Sequence, residues 1–103
     1  MKVIRDGHKY ELAHHEGPGA EVIQFIEKQP KALGKTGELE TAYQGTTNEE
    51  VLRCLIDRLS NMNSKFPCRE NSIVITKLEE SLMWLEKRTS DRKARGVEGK
   101  AIK

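Results

Sequence analysis

Two amphipathic runs separated by Pro67 constrain the fold of this chain more than any other feature of it. The first opens at Thr47-Asn48-Glu49-Glu50, a capping box in which the Thr47 hydroxyl can accept from the Glu50 amide while the Glu50 carboxylate reaches back. Val51, Leu52, Leu55, Ile56, Leu59 and Met62 then recur at spacings that trace one helical face. Asn61, Asn63, Ser64 and Pro67 are expected to break that helix. A second helix is predicted from Cys68 or Arg69 to about Lys93, with Ile75, Leu78, Leu82 and Leu85 on one stripe, before Gly96 and Gly99 loosen the chain. Two such helices joined by a short loop bury their stripes only by packing antiparallel.

The segment before the hairpin reads as β. Val3-Ile4-Arg5 and His8-Lys9-Tyr10-Glu11-Leu12 flank Asp6-Gly7, a dipeptide suited to a primed hairpin turn with positive φ at both central residues. His14 to Gly19 is a loop by its glycines and proline. Glu21 to Lys28 is ambiguous: its branched and aromatic residues favour a strand, and Pro30 ends it in either case. Lys31 to Gly37 reads as a polar connector, and Leu39 to Gln44 as one more short strand. The expectation is an α+β fold in a single domain: residues 1–45 a small antiparallel β-sheet, 46–93 the helical hairpin, and 94–103 a flexible basic tail.

With 103 residues, of which 36% are hydrophobic and 33% charged, the core must be thin. Chains of this size commonly add a metal, a disulfide or a partner subunit. Cys54 and Cys68 are the only cysteines and form no CxxC pair. In the predicted hairpin they stand about eight residues apart along the helix axis, roughly 12 Å, too far for one bond. The charged N-terminus Met1-Lys2-Val3-Ile4-Arg5-Asp6 has no secretory character, so a reducing, cytoplasmic setting with free thiols is expected. Oligomerisation is the supplement that remains. The formal net charge of +2 says little about nucleic acid. From Glu86 onward, however, Lys87, Arg88, Arg92, Lys93, Arg95, Lys100 and Lys103 outnumber Glu86, Asp91 and Glu98, which either complements a helix dipole or forms a weak nucleic-acid contact.

The residues that carry chemistry elsewhere do not converge here. His8, His14 and His15 have no cysteine neighbours and no HExxH pattern, and adjacent side chains in an extended segment diverge, so no metal or cofactor is expected. Gly17-Pro18-Gly19 lacks the helix and lysine of a phosphate loop. Glu49-Glu50 and Glu79-Glu80, as helical neighbours, point about 100° apart and make no acid–base dyad. No enzymatic activity is expected.

The start of the second helix is different. Free amides of a first helical turn attract anions, and Arg69 adds a bidentate donor beside them. Thr76, seven residues on, returns to the Arg69 face after about 700° of rotation, and Lys77 lies one position further round. An arginine, a hydroxyl, a lysine and free amides suit a phosphodiester. The same residues also fit a purely structural role, with Arg69 paired to Glu70 and Thr76 bonded back to the helix.

The run Arg69-Glu70-Asn71-Ser72-Ile73-Val74-Ile75-Thr76-Lys77-Leu78-Glu79-Glu80-Ser81-Leu82-Met83-Trp84 resembles the signature of the helical-hairpin domain of phage anti-CBASS and anti-Thoeris proteins. That signature runs approximately as Ser-Arg-Glu, small or apolar residues, Thr-Lys-Leu-Glu-Glu-Ala, a hydrophobic pair and Trp. The resemblance covers Thr47 to about Thr89. Cys68 stands where the family has serine, which touches the helix cap, and Ser81 where it has alanine. The resemblance implies a sponge, a non-catalytic protein that holds cyclic dinucleotides, cyclic trinucleotides or cyclic ADP-ribose isomers away from host effectors in the cytoplasm of the infected bacterium. It implies pockets built between protomers, hence a homo-oligomer, and makes Arg69, Thr76 and Lys77 ligand-binding residues. The anti-Thoeris branch, with a sheet before the hairpin, fits better than the nearly all-helical anti-CBASS branch. Trp84 and Leu82 are assigned to packing of the hairpin or the subunit interface. A structural or protein-binding module that uses the hairpin face for a partner is the competing function.

Overall fold

The computed structural model describes residues 1–31 and 37–101, and they form two compact units, one β and one helical. Most of the polar connector expected over Lys31 to Gly37 lies outside the described residues.

In the first unit, β1 (Lys2–Arg5), β2 (Lys9–Ala13) and β3 (Ala20–Gln24) form an antiparallel sheet in that order. The Tyr10 pairing with Val3 on one side and Ile23 on the other sets the register. The β1–β2 turn differs from the expected primed type. Positive φ occurs only at Gly7 (74°), and the His8 amide donates to the Arg5 carbonyl at 3.0 Å. Glycine at the third position of a four-residue turn is the type II requirement. That turn would splay a tight hairpin, and a register shift between Val3 and Arg5 accompanies it.

The ambiguous segment after Gly19 is extended, but it serves two sheets where one was expected. β3 ends at Gln24, and β4 (Glu27–Pro30) pairs with β5 (Leu39–Tyr43) in a separate antiparallel ribbon. The break comes from the chain that leaves β5. Thr46 donates to the Gln24 carbonyl at 2.8 Å and accepts from the Ile26 amide at 2.9 Å, so residues 25 and 26 are diverted from β3. Gly45 makes this approach possible, since a Cβ there would lie 2.4 Å from the Gln24 oxygen. Phe25 meets Tyr10 edge to face at 5.9 Å between ring centroids. Residues of the expected flexible tail return to this unit: Lys100 bridges Glu38, and the Ala101 amide donates to the Gly37 carbonyl at 2.9 Å.

The second unit is the antiparallel hairpin of α1 (Asn48–Lys65) and α2 (Arg69–Ala94). α1 begins directly after Thr47, as the capping pattern requires. It does not break at Asn61–Ser64. The Asn61 amide donates to the Asp57 carbonyl at 2.9 Å and the Ser64 hydroxyl to the Asn61 carbonyl at 2.8 Å, so these polar side chains satisfy the helix they were expected to interrupt. Pro67 ends it. Asn63 then ties the corner, accepting from the Cys68 amide at 2.9 Å and donating to the Ser72 hydroxyl at 3.0 Å. Towards the open end, Arg53 donates to Glu86 at 3.0 Å. Val51, Leu52, Ile56 and Leu59 face the half-buried stripe Ile75, Leu78, Leu82 and Leu85, whereas Leu55 and Met62 stay exposed. No hydrophobic side chain among the described residues is fully buried.

Candidate functional site

The amide-rich end of α2 is built by Cys68. Its extended backbone (φ −147°, ψ 154°) places it as the cap, and its Sγ accepts from the Asn71 amide at 3.4 Å. A serine cap would use oxygen. Sulfur is the weaker acceptor but occupies the same place. Arg69 is the first helical residue, exposed, and pairs with no described residue, so the expected alternative partner Glu70 does not hold it. Thr76 is exposed two turns on, about 10.5 Å along the axis and on the Arg69 side of the helix. Lys77 is also exposed and lies 3.7 Å from Glu80. The three residues thus share one region of α2 on an open surface.

Two grooves of the hairpin unit lie elsewhere. One, of about 410 Å³, runs between the helices, with Ile56, Leu82 and Met83 as its floor and Arg53, Asp57, Ser60, Glu79 and Glu86 as its rim. The other, of about 380 Å³, follows the C-terminal half of α2 and is lined by Trp84, Lys87, Arg88, Asp91, Arg92 and Arg95. Leu82 is half-buried in the hairpin, whereas Trp84 is 65% exposed, so of the two roles expected of it, packing of the hairpin or of a subunit interface, the hairpin does not supply the first. The basic residues of this groove stand out in the sequence as a charge run. Trp84 and Arg88, four residues apart in the sequence, share a helix face.

Charges in the second groove are partly neutralised. Lys87 donates to Asp91 at 2.6 Å. Arg92, buried, donates to Glu98 at 3.2 Å and to the Val97 carbonyl at 2.9 Å. Arg88 is exposed and has no described partner.

All three histidines belong to the sheet unit. His8 bonds the Asp6 carbonyl at 3.0 Å, and His14 lies 3.1 Å from Glu21. Among the described residues no group of His, Cys, Asp or Glu is arranged to hold a metal, and no helix is long and apolar enough to cross a membrane. Cys54 and Cys68 are free and exposed. A shifted pKa accompanies Arg5, which its hydrogen bond to Glu27 keeps protonated to higher pH than usual.

Residues 21–90 match the family described as Acb2/Tad1, hairpin domain. Thoeris anti-defense 1 of Bacillus phage SBSphiJ7 is 54% identical over 61 residues, which make up 58% of this chain and 43% of that protein. The chain therefore spans less than half the length of this curated relative.

Proposed function

The chain belongs to the Acb2/Tad1 hairpin family of phage anti-defence proteins, on its anti-Thoeris side, and from that premise we infer that it is a non-catalytic sponge for cyclic nucleotide immune signals. It acts in the cytoplasm of the infected host and captures cyclic dinucleotides, cyclic trinucleotides or cyclic ADP-ribose isomers. The observation that carries this reading is Arg69: an exposed guanidinium without a described partner, in the first turn of a 26-residue helix whose Asn71 amide is taken by Cys68, inside the matched region. An unpaired arginine at a helix N-terminus opposes the dipole, so a role in stabilising the fold does not account for it. Together with the amides it forms an anion site. Thr76 supplies a hydroxyl on the Arg69 side, and Lys77, about 100° further round and 3.7 Å from Glu80, a second cation at its edge.

Sequestration without turnover fits the chemistry at this end of the hairpin. Phosphodiester cleavage needs a positioned base, a metal or an activated nucleophile. Glu79 and Glu80 diverge on the helix, and Glu80 is turned towards Lys77. The absence of a fully buried apolar side chain among the described residues supports a homo-oligomer, a dimer or larger, with the ligand enclosed between protomers.

The test is a thermal-shift panel of cyclic di- and trinucleotides and cyclic ADP-ribose isomers, followed by heat denaturation and chromatography of the supernatant. A ligand at a hundred times its dissociation constant stabilises the fold by about 2.7 kcal/mol. The expected result is one stabilising class, recovered intact at one or a few equivalents per oligomer. Many equivalents of linear product would make the protein an enzyme, and no stabilisation by any member would favour the partner-docking module instead.

A further inference from the structure

We propose that residues 96–101 are a clasp, anchored on Arg92, that starts a third strand on the β4–β5 ribbon. Through it the folding of that ribbon depends on the last turn of α2.

Among the described residues the single buried side chain is that of Arg92. Complementing the helix dipole needs a cation near the helix end but not its burial. Taking a cation out of water is costly unless it is paired, and the segment that follows α2 supplies partners. The Arg92 Nε donates to Glu98 at 3.2 Å and an Nη to the Val97 carbonyl at 2.9 Å. The backbone turns the chain towards these contacts. Gly96, at φ 70°, follows the cap Arg95. Its amide donates to the Lys93 carbonyl, and the Val97 amide donates to the Arg92 carbonyl, both at 3.0 Å. This pair of bonds is a Schellman motif, in which an apolar contact commonly joins the residue after the glycine to the helix. Here a buried guanidinium holds that residue by its carbonyl.

The chain leaves the hairpin unit at Glu98 and enters the sheet unit at Gly99, whose φ of 80° turns it once more. Lys100 then pairs antiparallel with Glu38, and the Ala101 amide donates to the Gly37 carbonyl at 2.9 Å. On the other side of the same stretch, the Lys31 amide donates to the Glu38 carbonyl at 3.3 Å. The residues that lead into β5 are therefore held from both flanks, by the continuation of β4 and by the tail. This matters because β4 and β5 form only a two-stranded ribbon, and two strands alone are marginal in water. Fixing a chain terminus costs backbone entropy. Here that cost is offset by the Arg92 contacts at one end of the segment and by strand pairing at the other.

Amide hydrogen exchange of the full chain tests the clasp, read separately in the β4–β5 ladder, the β2–β3 ladder and the middle of α2. Arg92→Ala leaves the backbone bonds of the cap in place, so helical circular dichroism should be unchanged. Exchange of the β4–β5 ladder should nevertheless speed up by about tenfold or more, the scale of lost hydrogen bonds to a charged group. Gly99→Ala is the second variant. A Cβ there meets no atom within 4 Å, so the substitution acts through the left-handed turn alone and should accelerate the same ladder selectively. A cross-link gives the converse. Glu38 and Lys100 are a non-hydrogen-bonded antiparallel pair, whose Cα atoms stand about 4.5 Å apart, within disulfide reach. Glu38→Cys with Lys100→Cys is placed in an Arg92→Ala chain that also carries Cys54→Ser and Cys68→Ser. Oxidation should restore protection of the ladder and reduction should remove it again, a recovery that misfolding cannot produce. Ladder exchange indifferent to both Arg92→Ala and Gly99→Ala would overturn the clasp. So would acceleration spread equally over β2–β3 and α2, or an oxidised cross-link that restores nothing.

Discussion

The Arg5 guanidinium lies over the ring of Tyr43, 4.1 Å from its centroid, and joins β1 of the three-stranded sheet to β5 of the two-stranded ribbon. Glu27 of β4 binds the same guanidinium, and His8 stands 3.4 Å from Glu27. Side chains from both sheets thus meet on one arginine, so the unit holds together without a fully buried core. Tyr43→Ala should destabilise the sheet unit by about 1 kcal/mol, the scale of a surface cation–π contact. Tyr43→Phe, which keeps the ring, should be nearly neutral. Amide exchange of the β4–β5 ladder is the measurement. Because Glu27 raises the Arg5 pKa, the Arg5 contribution is complete below the ordinary arginine range and is lost only as pH rises through the raised value. No weakening from Arg5 itself is therefore expected between neutral and mildly alkaline pH.

Cys68 gives a second prediction. Its sulfur accepts from the Asn71 amide at 3.4 Å, where the family signature has a serine. Cys68→Ser should stabilise the hairpin by about 0.5–1 kcal/mol, within the range for installing a good N-cap. Chemical denaturation followed by helical circular dichroism reads this directly, and a destabilised serine variant would show that the thiol is held by more than the cap.

Arg69→Ala separates binding from folding. With no described partner to lose and a mildly unfavourable dipole to escape, the ligand-free melting temperature should hardly move. Affinity for the cyclic nucleotide found in the thermal-shift panel should fall by about 1.5–3 kcal/mol, the cost of a hydrogen bond to a charged group. Calorimetry that found unchanged affinity would take Arg69 out of the site.

The hairpin was legible because a single residue stops each helix and the apolar spacing between stops is regular. Pro67 and Gly96 act through the backbone wherever they occur, and the stripe Ile75, Leu78, Leu82 and Leu85 has only one way to be buried. What escaped the sequence depended on partners distant along the chain. Asn61 and Ser64 read as breakers until their side chains were seen to bond the carbonyls of their own helix. The division of residues 20–30 between two sheets depends on Thr46 reaching the backbone of Gln24 and Ile26, a contact that no local pattern encodes. At the candidate site the periodicity placed Arg69 and Thr76 on one side of α2. It could not tell that Trp84 faces outward beside Arg88, because burial is decided by which neighbours are present.

The last prediction follows from exposure. Met62 and Met83 are 44% and 57% exposed, and Met83 lies with Ile56 and Leu82 in the groove between the helices. Each half of the chain has an apolar face, and no apolar residue described in it is fully removed from water. A chain of this length buries a modest share of its surface when it folds alone, so self-association would supply burial that the monomer lacks. Methionine adapts readily to such contacts. Sedimentation should return a dimer or larger, and the melting temperature should rise with protein concentration, as mass action requires of an associating fold. Met83→Asp adds an acid to a groove that already holds Asp57, Glu79 and Glu86. It should shift the protein towards the 11.7 kDa monomer and abolish the concentration dependence. A wild-type protein that sediments as a monomer at high concentration, with a melting temperature independent of dilution, would show that these half-buried stripes suffice by themselves.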